Sequence, residues 1–409
     1  MLAQQRRRSR SQARAYPGGV RRLIILLAGA LMLAACSSHD HDEASTGMAD
    51  DSPSAHGTHS TTAPGATLVA RKGEEIVTVA VPANFRPEAP TGATDEYRCF
   101  VVEPELKTDV SITGTEFVPG NPAIVHHGIL YAALPEQVAA ARALDAEDEG
   151  PGYECFGGSR LPSRGDALSG LDQSDWVTAW APGGKPTQSP AGYGTPLPAG
   201  SALVIQMHYN LASTSGSDST QVRLRVTDRA GLRPLSTMLL PAPVELPCAP
   251  RESGPLCDRT YALDDVVSRF GAGSGATIAG LQMLCGGDPD APRSGDVQVC
   301  DRRVPADMRI FAVAGHMHLL GREITVTLNP GTNQQQVLLD IENWDFDQQA
   351  AVPLPEPVKA RAGDVLRVRC RHDPGLRSQL PALQNSPPRY VLWGEGTSDE
   401  MCLGIISNG

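Results

Sequence analysis

Histidine is scarce in this 409-residue sequence, ten in all, and its placement is uneven. His39, His41, His56 and His59 lie in a polar stretch near the N-terminus. Five of the other six fall in three compact groups, V-His126-His127-G, Q-M-His208-Y and G-His316-M-His318-L. Other shortages exclude whole classes. After residue 36 no stretch has the roughly 18 apolar residues in a row that mark a membrane-spanning helix. No C-x-x-C occurs, which removes the usual thiolate-zinc and dithiol-redox motifs. No H-E-x-x-H occurs, so the helical zinc site of many hydrolases is missing. The net charge is −11, from 35 Lys and Arg against 46 Asp and Glu. With no basic patch in the body, nucleic acid is not an expected partner.

The N-terminus sets the compartment. Several arginines precede an apolar run at 23–35, which ends in L-A-A-Cys36. A basic region, a short apolar core and small residues before a cut make a secretory signal. A cysteine directly after L-A-A makes it a bacterial lipoprotein signal, with lipid on Cys36. Residues 1–36 are therefore expected to be a signal peptide. The mature chain is expected to be exported and lipid-anchored to the cell envelope, on its periplasmic or extracellular face, with that anchor its sole membrane attachment. Residues 37–79 are rich in Ser, Asp, His, Gly and Thr and bury too little to order themselves, so they read as a disordered linker. Its H-D-H-D and H-G-T-H tracts are weak metal-collecting signals.

The body, 80–409, is long for one domain and suits two of roughly 150 residues. Few segments carry a long 3.6-residue apolar period. Short β-like runs recur instead: E-I-V-T-V-A-V, A-L-V-I-Q-M-H-Y, Q-V-R-L-R-V, R-I-F-A-V-A, E-I-T-V-T-L, Q-V-L-L-D-I and D-V-L-R-V-R-C. Many short strands between turn residues predict an all-β fold of sandwich type. A helix is expected within 135–145. D-R-A-G-L-R-P interrupts the strand pattern, which divides the body into an N-terminal sandwich, 80–232, and a C-terminal one, 233–409.

Without Cys36, eight cysteines remain: Cys99, Cys155, Cys248, Cys257, Cys285, Cys300, Cys370 and Cys402. An even number in an exported chain reads as about four disulfides, with the pairing open.

The imidazole is the commonest metal ligand, and clustered histidines point to a metalloprotein. His316 and His318 stand two apart at a strand end, so alternation puts both on one face. His126 and His127 are adjacent and would point to opposite faces of an ideal strand. They can share an ion only at a bulge or bend, where Gly128 would help. His208 follows a strand and could complete a three-histidine site. Met401, in D-E-M-C, selects the metal: a soft thioether suits Cu(I), whereas three histidines alone fit zinc as well. His372 stands apart in C-R-H-D-P and reads as structural or surface.

The ordered set H-H, Q-x-H-Y, H-x-H-L-x-G-R and D-E-M-C resembles the copper type II ascorbate-dependent monooxygenases, a family that includes peptidylglycine α-hydroxylating and dopamine β-monooxygenases. Further similar stretches are Tyr97-Arg98-Cys99, Ala179-Trp180-Ala181-Pro182, Gly363-Asp364-Val365-Leu366 and Glu395-Gly396-Thr397-Ser398. The resemblance covers the whole body and implies two tandem jelly-roll-like β-sandwiches, each holding one copper across a solvent-filled cleft. His126, His127 and His208 would bind an electron-transferring copper. His316, His318 and Met401 would bind the catalytic copper, where dioxygen is activated. It also implies Cys99–Cys155 and Cys370–Cys402 disulfides, the second pinning Met401, while Cys248, Cys257, Cys285 and Cys300 stay open. Gln206 would support water or substrate in the cleft.

The implied reaction is hydroxylation of a C–H bond of a small substrate, using dioxygen and ascorbate or another one-electron reductant, by a monomer carrying two copper ions. Departures restrict the substrate. The amidating members carry an arginine two positions before H-x-H, where this chain has Ala314, and polar residues after D-E-M-C, where it has Leu403-Gly404-Ile405. A carboxylate buried there would go uncompensated. Glycine-extended peptides are therefore not expected as substrates, and a small, fairly apolar molecule is. The alternative function is an exported lipoprotein that buffers or delivers copper without catalysis. Two chemically different sites favour the enzyme.

Overall fold

The computed structural model describes residues 67–90, 94–162, 176–384 and 386–409. The expected signal peptide, Cys36 and most of the linker lie outside the described residues. Strands form where β-branched and apolar residues alternate. Up to residue 227 they are β1 (Glu75–Ala80), β2 (Asp95–Val102), β3 (Val110–Val118), β4 (Val125–Ala133), β5 (Tyr153–Glu154), β6 (Trp176–Trp180), β7 (Thr187–Gln188), β8 (Tyr193–Leu197), β9 (Ala202–Asn210) and β10 (Gln221–Thr227), with helix α1 (Val138–Asp145). From 233 on come β11 (Arg233–Pro234), β12 (Ser236–Pro241), β13 (Glu245–Leu246), α2 (Arg259–Phe270), α3 (Ala272–Leu284), β14 (Val297–Arg303), β15 (Met308–His316), β16 (Gly321–Leu328), β17 (Gln336–Ile341), β18 (Val352–Ala360), β19 (Val365–His372), β20 (Val391–Leu392) and β21 (Leu403–Asn408). The protein is mostly β, and each of the seven runs read from the sequence overlies a strand.

The sheets pair off around shared cores. One sheet has the order β5-β2-β9-β4-β6; another runs β1-β10-β3-β8-β11, with β7 on β3. Phe100, Leu203 and Ile205 of the first pack with Ile112, Val222 and Leu224 of the second. Two later sheets, β12-β21-β15-β18 and β14-β19-β16-β17, likewise share a core. There Ile310, Val313 and Ile406 meet Ile324, Val326 and Val368. Burying these faces supplies most of the stabilisation, at roughly 25 cal/mol per Å² of apolar surface.

The helices depart in part from expectation. Helix α1 fills the later part of the expected 135–145 segment, but α2 and α3 were not foreseen. Helix α2 starts where the Asp258 side chain accepts from the amides of Thr260 and Tyr261 and ends at Gly271, whose φ of 81° suits glycine. It buries only Ala262 and Val266, too narrow a stripe to read as a period. Helix α3, A-G-S-G-A-T-I-A-G-L-Q-M-L, has so few polar positions that its apolar face does not stand out.

Four disulfides join Cys99 to Cys155, Cys248 to Cys257, Cys285 to Cys300 and Cys370 to Cys402. Such bonds persist in oxidising compartments and mark an exported protein.

The β4–β9 pairing places the first histidines. Val125 pairs with Tyr209 and His127 with His208, so the register shifts across His126. One extra residue in β4 is a bulge, and it carries the His126 ring to the same site as that of His127. Gly128 acts through packing: a Cβ there would come within 2.7 Å of the Phe117 ring and 3.3 Å of the Met207 sulfur. Gly128→Ala is expected to cost about 1–3 kcal/mol through overpacking, read as a lower denaturant midpoint. An unchanged midpoint would contradict this contact.

Candidate metal centres

Strand β9 is buried along almost its whole length. Leu203, Ile205, Met207 and Tyr209 enter the core between the sheets. Alternation sends Val204, Gln206 and His208 to the opposite face. There the ring of Tyr97, from the neighbouring β2, stacks on His208 at 4.1 Å. His208 Nε2 lies 2.9 Å from Asp95 Oδ1. Burial alone would raise the Asp95 pKa, but His208, with help from Thr397 and Thr94, outweighs it and holds the carboxyl at about 2. An ionised carboxylate only accepts, so His208 Nε2 carries the proton and its Nδ1 keeps a lone pair.

That Nδ1 stands 3.1 Å from Nδ1 of His126. One nitrogen from each of His126, His127 and His208 lies within 4.8 Å of the others. His126 also has a buried Nε2 without a hydrogen-bond partner, and its ring stacks on Phe346 at 4.4 Å. Burial, then the neighbouring imidazoles, pushes His126 and His127 well below the ordinary imidazole value. Burial also lowers His208, against the pull of Asp95. Three uncharged imidazoles with converging nitrogens fit a first-row ion such as copper or zinc.

The second group forms where β15 ends. His316 is its last residue and pairs with Leu403 of β21; His318 lies just beyond, with the two ring centroids 5.2 Å apart. His316 Nδ1 is 2.6 Å from Gln349 Oε1, and His318 Nδ1 is 3.1 Å from the Asp399 carbonyl. With both Nδ1 atoms donating, the Nε2 atoms are left to bind. Burial first, then His318, lowers His316 to about 3. Met401 lies two residues before Leu403 and lines the same cleft as His316. Its thioether adds a soft donor, which suits copper.

The cleft has a volume of about 2340 Å³, and its lining includes His127, His316, Met401, Tyr131 and Gln206. The resemblance implies solvent between the two centres. At this end of the cleft, however, the groups meet, with His127 and His316 ring centroids 5.8 Å apart. Gln206 is more committed than expected: its amide donates to the Cys155 carbonyl at 2.8 Å and its oxygen accepts from Tyr131 at 3.3 Å. His372 is structural, not surface: it is buried, with Nε2 3.2 Å from the Met401 carbonyl.

Two histidine groups that meet at His127 and His316 on one cleft of a disulfide-bonded β protein define the class, a candidate metalloprotein. Residues 296–407 match the family model described as copper type II ascorbate-dependent monooxygenase, C-terminal domain. DBH-like monooxygenase protein 1 of Homo sapiens is 24% identical over 292 residues, covering 70% of this chain and 39% of that protein. Dopamine beta-hydroxylase of Rattus norvegicus is 24% identical over 359 residues, covering 82% of this chain and 50% of that protein. Residues 296–407 thus resemble the C-terminal domain of the copper type II ascorbate-dependent monooxygenases, and the chain as a whole is similar to these two proteins. It spans half or less of the length of these two relatives.

Sequence reasoning missed Asp95, Gln349, Phe346, Thr397 and Glu400. Thr397 and Glu400 left a trace, each within a stretch already singled out, and Asp95 stands two residues before another. Gln349 and Phe346, in an irregular loop, left none. Asp95→Asn is expected to weaken copper binding at the three-histidine centre by about tenfold or more, measured by chelator competition. An unaltered affinity would show that Asp95 does not orient His208.

Proposed function

We propose that the protein is an exported copper monooxygenase that hydroxylates a C–H bond of a small, fairly apolar substrate, with dioxygen and ascorbate or an equivalent one-electron reductant. One observation carries this reading: His127 of the three-imidazole group and His316 of the two-imidazole group line the same cleft as the Met401 thioether. His126, His127 and His208 are the ligands of an electron-transferring copper; His316, His318 and Met401 are those of the catalytic one. Bound copper would cycle between two oxidation states, supplying single electrons and a site for dioxygen.

The chain's own residues do the rest. Asp95 fixes the His208 ring, and Gln349 and the Asp399 carbonyl fix His316 and His318. The wall beside His316 is apolar, with Ala312, Ala314, Leu403 and Ile405 facing the cleft. It seats an apolar group, and none of these four side chains can pair with a carboxylate. Gln206, held on both sides, presents a fixed polar edge to the cleft.

The body is read as two tandem β-sandwiches of jelly-roll type, divided near 232 and 233, each core carrying one centre. Cys36 is the lipid attachment point, and the protein acts as a monomer.

The test is copper stoichiometry with Cu(I) X-ray absorption, on the wild type and on Met401→Ala, followed by oxygen uptake with ascorbate and candidate substrates. Two coppers per chain, a sulfur contribution lost in the variant and substrate-dependent uptake are expected. One copper, zinc occupancy or a spectrum indifferent to Met401 would sink the catalytic assignment. Two coppers without substrate-dependent uptake would leave copper buffering or delivery as the function.

A further inference from the structure

One buried carboxylate lies where three chain segments meet behind the second histidine group. Glu400 has no exposed surface. Its Oε2 accepts from the His318 amide at 2.9 Å and its Oε1 from the Leu320 amide at 2.5 Å. Oε2 also accepts from the Met401 amide at 3.2 Å. His372, at the end of β19, puts Nε2 3.3 Å from Glu400 Oε2 and 3.2 Å from the Met401 carbonyl. One side chain therefore joins the His316–Met317–His318 segment, the Met401 segment and the end of β19.

A carboxylate removed from water is costly unless its lone pairs are met. Here they are met by backbone amides of two otherwise separate segments, so the charge is content only when both are in place. Burial alone would raise the pKa of Glu400, but the His372 and His318 interactions outweigh it and hold the group below its ordinary value. The Cys370–Cys402 disulfide ties the same strand end to the same segment. The disulfide fixes the backbone beside Met401, whereas the Glu400 side chain reaches across to the His318 and Leu320 amides.

We propose that Glu400, braced by His372, is a positioning residue that sets the separation between the His316 and His318 imidazoles and the Met401 thioether. The proposal rests on the reading of these three as copper ligands. Groups behind metal ligands commonly carry 10–100-fold in affinity, and a crosslink between two ligand-bearing segments belongs among them.

The test titrates Cu(I) alone against a competing chelator, with X-ray absorption, on wild type, Glu400→Gln and His372→Phe. Glu400→Gln is expected to weaken the sulfur-bearing site by about tenfold or more and to diminish its sulfur contribution. The three-histidine site should stay within about twofold of wild type, since none of its ligands touches Glu400. His372→Phe should act in the same direction by a smaller factor, and it decides the matter if Glu400→Gln does not fold. Wild-type affinity at the sulfur-bearing site in the folded variants would overturn the proposal while leaving the ligand reading intact. Equal losses at both sites would also overturn it, because a general loosening of the fold acts on both. A wild type with no sulfur-bound copper would overturn the ligand reading, and the proposal with it.

Discussion

The structure depends on keeping several imidazoles uncharged in a crowded, buried place. His126, His127, His208 and His316 all have pKa values lowered, first by burial. Protonating any of them would set a positive charge among rings whose centroids stand 4.6–5.8 Å apart, in surroundings that screen it poorly. The neutral rings keep their lone pairs, which is what a metal site requires. The bulge in β4 and the stacking of Tyr97 and Phe346 serve that one condition, whereas Asp95 pulls His208 the other way and is outweighed by burial.

A short segment ties the two groups together. The Glu395 carbonyl accepts from the Tyr97 hydroxyl at 2.7 Å, and Thr397 donates to Asp95, the partner of His208. Two residues further on, the Asp399 carbonyl accepts from His318, then Glu400 holds the loop that carries it, and Met401 follows. Residues 395–401 thus touch the supports of the first group and build the second. Thr397 covers the Asp95 oxygen that also meets His208. Hydrogen bonds from one short segment therefore reach the supports of both histidine groups.

Much of this was legible in the sequence because it is local. Strand period placed β1, β9, β10, β15, β16, β17 and β19, and i, i+2 spacing brought His316 and His318 together. The need for a bulge at His126 followed from two adjacent histidines, although Gly128 turned out to relieve packing against Phe117 and Met207. Elements that rest on distant partners were not legible. Asp95 is 113 residues from His208, and Phe346 owes its place over His126 to a loop with no periodic pattern. Helix α2 buries too few side chains to announce itself, and α3 is too evenly apolar. Pairing of Cys248 with Cys257 and Cys285 with Cys300 is likewise a property of the folded chain.

The measurement closest to the central claim is a copper-edge anomalous difference map from crystals of the Cu(I)-loaded protein. The account predicts two peaks per chain, one among His126, His127 and His208 and one beside His316, His318 and Met401. A single peak shared by the two groups, or a second peak away from Met401, would contradict it.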